Sequence, residues 1–482
     1  MPPIDLTLLT LLAPELWMTL LCCVVLAIDF IWPRFSKRGL GYLPIAGLCP
    51  AGLMLIGLFD VRGALFGGMF VVDPLAVFFK LFIVVVTILT LLASLDAVDA
   101  YPNFRGEYYF LILFTALGTM FMASANDFLS LFISLEFAAF GFYILVAYLR
   151  TDARSNEAGI KFFILGVLSA SLIAYGISLI YGATGSILFG DVAKVAFQYS
   201  LGLTLGLLFV LVGLGFKIGA VPFHAWIPDV YEGAPTPVTA YLSIVPKAAA
   251  FALILRIAFA MLGGSPDAWR WLIVAMAILS MTYGNVTAIA QKNTKRLLAY
   301  SGIAQIGNLL IGVAAASKMG GDALLFYLLA YLFANLGAFI VVIAVAGGTQ
   351  RDDIDDLTGL NRRSPLLAFA MLLFLLSLAG VPPLAGFLAK VYIFTAAVHQ
   401  DLLLLVTVGL VNVVISFYYY LIVVKKMYTL EPADPAPIVI SPPMKLALSA
   451  CIAGVIALGI WPAPLIDLSV AATDLFSNLP VR

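Results

Sequence analysis

Seven charged side chains fall where a chain this apolar has little room for them. Lys80, Lys161, Lys217, Lys247, Arg256 and Lys390 lie inside or at the edge of long apolar runs, and Glu136 sits well inside DFLSLFISLEFAAFGFYILVAY. A lysine or glutamate at mid-bilayer costs about 2.5–3.5 kcal/mol on insertion scales, so such groups persist where they pair, touch water or carry ions. Lys80 and Arg256 are close enough to a run's end for their heads to reach the interface. Lys161 is a few residues inside its run. Lys217 precedes Pro222, where a broken helix frees backbone carbonyls able to hold an ammonium. Lys390 follows Pro382-Pro383, and Lys247 lies deep in YLSIVPKAAAFALIL. Glu136 has no basic residue within four positions, so any partner is on another segment. Burial lowers a lysine's proton affinity and a nearby carboxylate raises it. A row of lysines tuned in this way suits a proton relay, whereas a site for a permanent cation calls for several oxygen ligands.

The elements that must position these groups follow from composition. The chain has 482 residues, 63 % hydrophobic and 11 % charged, with mean hydropathy +1.09. Soluble domains carry about 45–50 % apolar and about 25 % charged residues, so a soluble globular enzyme is excluded. Disorder requires low hydrophobicity and high net charge, and here 26 basic and 26 acidic residues cancel. That neutral balance also argues against nucleic acid as a partner. The fold class is an all-α polytopic membrane protein.

A window of about 20 apolar residues divides the chain into fourteen spans. They are 9–31, 41–59, 74–95, 107–123, 127–149, 158–181, 201–224, 237–262, 270–291, 296–315, 321–346, 365–397, 402–427 and 443–462. With the first loop cytoplasmic, that side collects fifteen of the twenty loop bases, among them Arg34, Lys37, Arg38, Arg105, Arg351 and Lys295, and the other side five, including Arg482. This bias places both termini outside the cytoplasm. DDIDD (352–356) reads as a solvated loop and EPADPAPIVISPP as an extended linker. GFKIGAVPFHAW in the seventh span and AGVPPLAGFLAK in the twelfth each join a Gly/Pro interruption to a lysine, a pattern that points to a repeat-built transporter with its site near midplane.

Cys22, Cys23, Cys49 and Cys451 form no C-x-x-C and read as buried apolar residues, and His224 and His399 are too few for a haem or metal site. With no ligand set and no nucleotide fingerprint, no cofactor is expected in this chain.

Residues 217–247, KIGAVPFHAWIPDVYEGAPTPVTAYLSIVPK, resemble the signature of the antiporter-like subunits of respiratory complex I and of Mrp-type antiporters. NTKRLLAYSGIAQIG (293–307) and GVPPLAGFLAK (380–390) fit the same pattern, and the resemblance spans essentially the whole chain. Lys390, where M-type members have glutamate, and the lack of a long lateral helix like that of L-type members match the N-type branch. The resemblance implies that Glu136 pairs with Lys217, that Lys247 is the central relay group, and that Lys390 leads to the opposite half-channel. Lys161 matches another functionally placed lysine, and His224 either joins the relay or fixes the broken helix. It further implies spans 1–3 over 1–100, two inverted five-helix repeats over 101–262 (spans 4–8) and 263–427 (spans 9–13), and a linker with span 14 over 428–482. The implied function is proton translocation in the membrane arm of an NADH–quinone oxidoreductase of a bacterial inner membrane, as a non-redox subunit of a translocase. Partners would be other membrane-arm subunits and lipid, with no direct NADH binding and with flavin and iron–sulfur clusters in partner subunits. An Mrp-type Na⁺/H⁺ antiporter, a hydrogenase- or ferredoxin-driven complex, and a purely structural subunit remain the alternatives.

Overall fold

The computed structural model describes residues 10–32, 36–100, 106–195, 200–262, 266–347, 352–432 and 434–476. The loop bases Arg34, Arg105, Arg351 and Arg482 and the side chain of Lys37 lie outside the described residues, as do both chain ends.

Hydrocarbon offers backbone amides no partner, so apolar runs close their hydrogen bonds within helices. The order is α1 (Ala13–Ile31), α2 (Lys37–Gly57), β1 (Gly63–Leu65), β2 (Phe70–Val72), α3 (Pro74–Ala100), α4 (Glu107–Ser124) and α5 (Phe128–Val146). Next come α6 (Ala153–Thr184), the short α7 (Phe189–Val195), α8 (Leu201–Ile218), α9 (Trp226–Gly233), α10 (Thr236–Leu242) and α11 (Val245–Leu262). The second half holds α12 (Pro266–Ala288), α13 (Thr294–Ala314), α14 (Lys318–Ala346), α15 (Leu360–Arg363), α16 (Pro365–Ala379), α17 (Ala385–Val398), α18 (Leu403–Thr429), α19 (Pro442–Ile460) and α20 (Ala463–Ala472). Among the described residues, thirteen helices are long and apolar enough to cross a membrane. The shorter α16 and α17, separated by a break, occupy the remaining span read from the sequence.

Helix starts are capped where the sequence supplies a short polar side chain. The Asp127 carboxylate accepts from the amides of Leu129 and Ser130 at 2.8 and 2.9 Å to open α5, and Asn293 and Ser317 open α13 and α14. α13 is buried along its length and α11 and α14 nearly so, while α1, α2, α6, α18 and α19 are one-third buried. The outer helices turn Leu20, Phe30, Phe163, Leu168, Val414 and Leu446 away from the bundle, as a lipid-facing surface requires. α12 and α13 approach closely at Gly284 and Gly307, where a Cβ would come within 2.7 Å of the neighbouring backbone. Small residues at such crossings are a usual means of packing helices within membranes.

The seventh span is interrupted where the sequence placed a break: one helix, α8, ends at Ile218 and the next, α9, starts at Trp226. Three sequence expectations change. Of the cysteines, Cys22 and Cys451 are buried but Cys23 and Cys49 are exposed, since an apolar helix residue that faces outward meets lipid rather than core. DDIDD is not uniformly solvated: the bridge between Asn293 and Asp353 lays this loop on the start of α13, and Asp352 is buried, 2.6 Å from Lys295. Finally, a two-stranded antiparallel hairpin, β1–β2, stands between α2 and α3 where none was expected. The described residues of the Pro-rich linker up to Ser441 carry no helix or strand, and the segment is tied down by Ser441 Oγ donating to Asp96 at 2.6 Å and by the Ile438 amide donating to Arg363 O at 3.2 Å.

Candidate functional site

The first break follows α8. Gly219 takes φ +76°, open to glycine because a Cβ clashes there, and the Val221-Pro222 peptide is cis. Pro222 has no N–H with which to continue the helix. The backbone groups released here find partners nearby: Phe216 O accepts from Trp226 Nε1 at 2.9 Å, and the Val221 amide donates to Ser280 Oγ at 2.9 Å. Lys217 therefore takes none of these carbonyls, contrary to the sequence expectation. Its ammonium instead donates across to Glu136 Oε1 on α5 at 3.1 Å, with the Tyr143 ring centroid 6.0 Å away. The Lys217 side chain is 11 % exposed and that of Glu136 27 %, so the pair is sheltered without being sealed.

Lys247, two residues into α11, is 1 % exposed. Its Nζ has no hydrogen-bond partner among the described residues and lies 5.3 Å from the Tyr231 ring centroid. An aromatic face offers a buried cation some electrostatic compensation, much less than a carboxylate does.

The second break separates α16 from α17, with Gly380 at φ +94° and a cis Pro382-Pro383 peptide. Here the lysine itself takes the released carbonyls: Lys390 Nζ donates to Leu378 O at 2.9 Å and to Ala379 O at 2.8 Å. The C-terminal end of a helix favours a cation in this position. Gln305 Nε2 on α13 shares Leu378 O at 3.1 Å, and Gln305 Oε1 accepts from Tyr327 on α14 and from Asn308 Nδ2 at 3.3 Å. A sequence search for misplaced charge passes over Gln305 and Tyr327 because neither is charged. The signal was the glutamine within IAQIG, a strongly polar residue inside an apolar run.

The remaining candidates have other partners. Lys161 on α6 is 44 % exposed and donates at 2.8 Å to Asp229 Oδ2, with Glu157 also 2.8 Å away. Arg296, at the start of α13, bridges Asp229 and Glu232, each at 2.8 Å. These groups line a cleft of about 200 Å³. His224 packs edge-on against Tyr283 with centroids 4.5 Å apart, and its Nδ1 has no hydrogen-bond partner among the described residues. Lys80 does not extend to the interface: it is 1 % exposed and 2.6 Å from Glu15 of α1, at an angle poor for a hydrogen bond. Arg256 likewise turns inward, to a two-pronged pair with Asp73 at 2.8 Å for each contact. Each of these acids is remote in sequence from its base, which is why sequence reading left both bases unpartnered.

The helices and their buried bases define a polytopic membrane protein with charged side chains inside its bundle. A sequence model of the family described as NADH:quinone oxidoreductase/Mrp antiporter, TM, matches residues 125–416, and the chain belongs to that family. It is 42 % identical to NADH-quinone oxidoreductase subunit N of Desulforamulus reducens, over 97 % of this chain and 98 % of the relative. A chain of respiratory complex I from Thermus thermophilus, solved with bound aureothin, is 33 % identical with a TM-score of 0.81, covering 95 % of this chain and 99 % of that one. A chain of the Mrp complex from Dietzia sp. DQ12-45-1b shares the fold, with a TM-score of 0.86 at 21 % identity over 97 % of this chain and 98 % of that one.

Proposed function

We propose that this chain is a proton-translocating membrane-arm subunit of an NADH–quinone oxidoreductase, and that Glu136, Lys217, Lys247 and Lys390 are its proton relay. The observation that carries the reading is the Glu136–Lys217 pair at 3.1 Å beside a broken helix. Lys247, which lacks a carboxylate partner, and Lys390, which is held by carbonyls, extend the row. Membership in the antiporter-like family and near-full-length similarity to subunit N sequences support the assembly assignment.

In this reading redox chemistry belongs to partner subunits that carry flavin and iron–sulfur clusters, and this chain binds no NADH. A charge change arriving from those subunits alters the Glu136–Lys217 pairing. With the carboxylate drawn away, the Lys217 ammonium is less stabilised and releases its proton; Lys247 takes up and passes on a proton, and Lys390 delivers one toward the opposite face. A modest change in pairing suffices because buried ammonium groups are poorly solvated. Lys161, hydrogen-bonded to Asp229 at the charged cleft, supplies protons from the cytoplasmic side, and His224 fixes the turn after the first break. The two breaks belong to inverted repeats over 101–262 and 263–427. The chain sits in a bacterial inner membrane with both termini periplasmic.

Native electrophoresis of mildly solubilised membranes tests the assignment, with this chain followed by mass spectrometry and the lane stained for NADH oxidation. Co-migration in a large NADH-active band is expected. Migration with a few small membrane subunits lacking that activity, together with Na⁺/H⁺ exchange in vesicles, would replace the reading with an antiporter.

A further inference from the structure

Lys247 and Lys390 carry the middle and the end of the row, and no contact between them is seen among the described residues. The surroundings of Gly302, midway along α13, offer a connection. A Cβ built on Gly302 would meet, outside its own helix, two heavy atoms within 4 Å: Tyr331 Oη at 3.1 Å and Lys247 Nζ at 3.4 Å. Both are buried, and neither has a hydrogen-bond partner among the described residues. The missing side chain thus leaves a notch into which an ammonium and a phenol hydroxyl both point. Tyr331 also lines a cavity of about 10 Å³ whose wall includes Gln305, Tyr327, Leu378 and Lys390. One side chain on α14 therefore borders both lysines' surroundings.

We propose that Tyr331 is the relay group between Lys247 and Lys390, reached through a water molecule seated in the notch beside Gly302. A buried water typically requires two to four polar partners and about 10–15 Å³. Lys247 Nζ supplies a donor and Tyr331 Oη both a donor and an acceptor. In the step, an N–H bond of the Lys247 ammonium breaks and its proton passes to the water. The water gives one of its own protons to Tyr331 Oη as that hydroxyl releases its proton, through the cavity that both side chains line, to the lone pair of a neutral Lys390 Nζ, which becomes the ammonium. One proton moves, Lys247 is left as a neutral amine, and the water and tyrosine are restored by rotation. Gly302 is a positioning residue: any side chain there occupies the water's place.

The proposal rests on the relay reading above, and its test separates the two. The assembled oxidoreductase carrying Tyr331→Phe, Gly302→Ala, Gly302→Ser or Lys247→Ala in this chain is compared with wild type in inverted vesicles. NADH-driven acidification is read at equal content of complex. Tyr331→Phe and Gly302→Ala are expected to lower the rate by the same factor as Lys247→Ala. Gly302→Ser, which puts a hydroxyl in the notch, recovers what alanine loses, a result that a merely structural glycine would not give because serine is the bulkier residue. Tyr331→Phe keeps the test sharp should Gly302→Ala fail to assemble. Wild-type pumping in Tyr331→Phe or in Gly302→Ala, or equal losses in the alanine and serine variants, overturns the proposal while Lys247→Ala remains impaired. Wild-type pumping in Lys247→Ala instead overturns the relay reading itself.

Discussion

At the break after α8, a neutral indole N–H from Trp226 takes the Phe216 carbonyl, and Lys217, the next residue, pairs with a carboxylate on another helix. At the break after α16, the lysine takes the carbonyls, with Lys390 bound to Leu378 O and Ala379 O. Both sites join a glycine at positive φ to a lysine, but the lysines stand on opposite sides of the interruption and their charges are balanced differently. Backbone carbonyls at a helix end are fixed in place, whereas a carboxylate on a side chain that is 27 % exposed can rotate away from its partner. The lysine at the first break is thus held by an adjustable group and the lysine at the second by a fixed one.

Glu136→Gln removes the adjustable element and should have the largest effect. Losing one partner of a buried ion pair costs about 3–5 kcal/mol, and the partial exposure of Glu136 puts this case at or below the low end. NADH-driven acidification should fall severely while the complex still assembles on native gels. Lys390→Met comes next. It leaves Leu378 O with Gln305 alone and orphans the Ala379 carbonyl, which costs about 1–3 kcal/mol. Reduced assembly is expected along with reduced pumping, because here the lysine is also the helix cap. Band intensity on the same gels separates the two variants.

Trp226→Phe isolates the neutral cap of the first break. It keeps an aromatic ring facing Phe162, whose centroid lies 4.7 Å away, but loses the hydrogen bond to Phe216 O and part of a buried indole's packing. The hydrogen bond accounts for about 0.5–1.5 kcal/mol and the space left by the smaller ring adds to it, read as a drop in thermal stability with pumping largely retained. Lys161→Gln should do least to stability. Its partners are exposed, and pairs of this kind are worth about 0.2–1 kcal/mol. A slower acidification without loss of assembled complex is the expected signature of a proton-supply group.

Most of the membrane architecture was legible because hydropathy reports depth. The spans, the two interruptions and the buried lysines all follow from where apolar runs begin, end and contain charge. Direction around each helix axis was not legible, and the misreadings stem from that. Cys23 is apolar yet faces outward. Lys80 and Arg256 read as able to reach the interface because Glu15 and Asp73 belong to other segments, Asp73 lying 183 residues from Arg256. Lys217 read as a ligand of freed carbonyls because Trp226, ten residues beyond Phe216, was not recognised as their partner. Gln305, Tyr327 and Tyr331 carry no charge, so a search built on the cost of burying charge had no means of finding them. The Glu136–Lys217 pairing came from family resemblance, since no property of either segment alone specifies the contact.

The central claim is that protons pass through this row, and the most direct measurement is the number of protons moved per NADH oxidised. Purified complex with Lys247→Ala in this chain would be reconstituted into proteoliposomes and compared with wild type at matched complex content. The relay predicts fewer protons per NADH with the complex intact. An unchanged ratio would contradict it and leave the buried lysines as helix-locking charges.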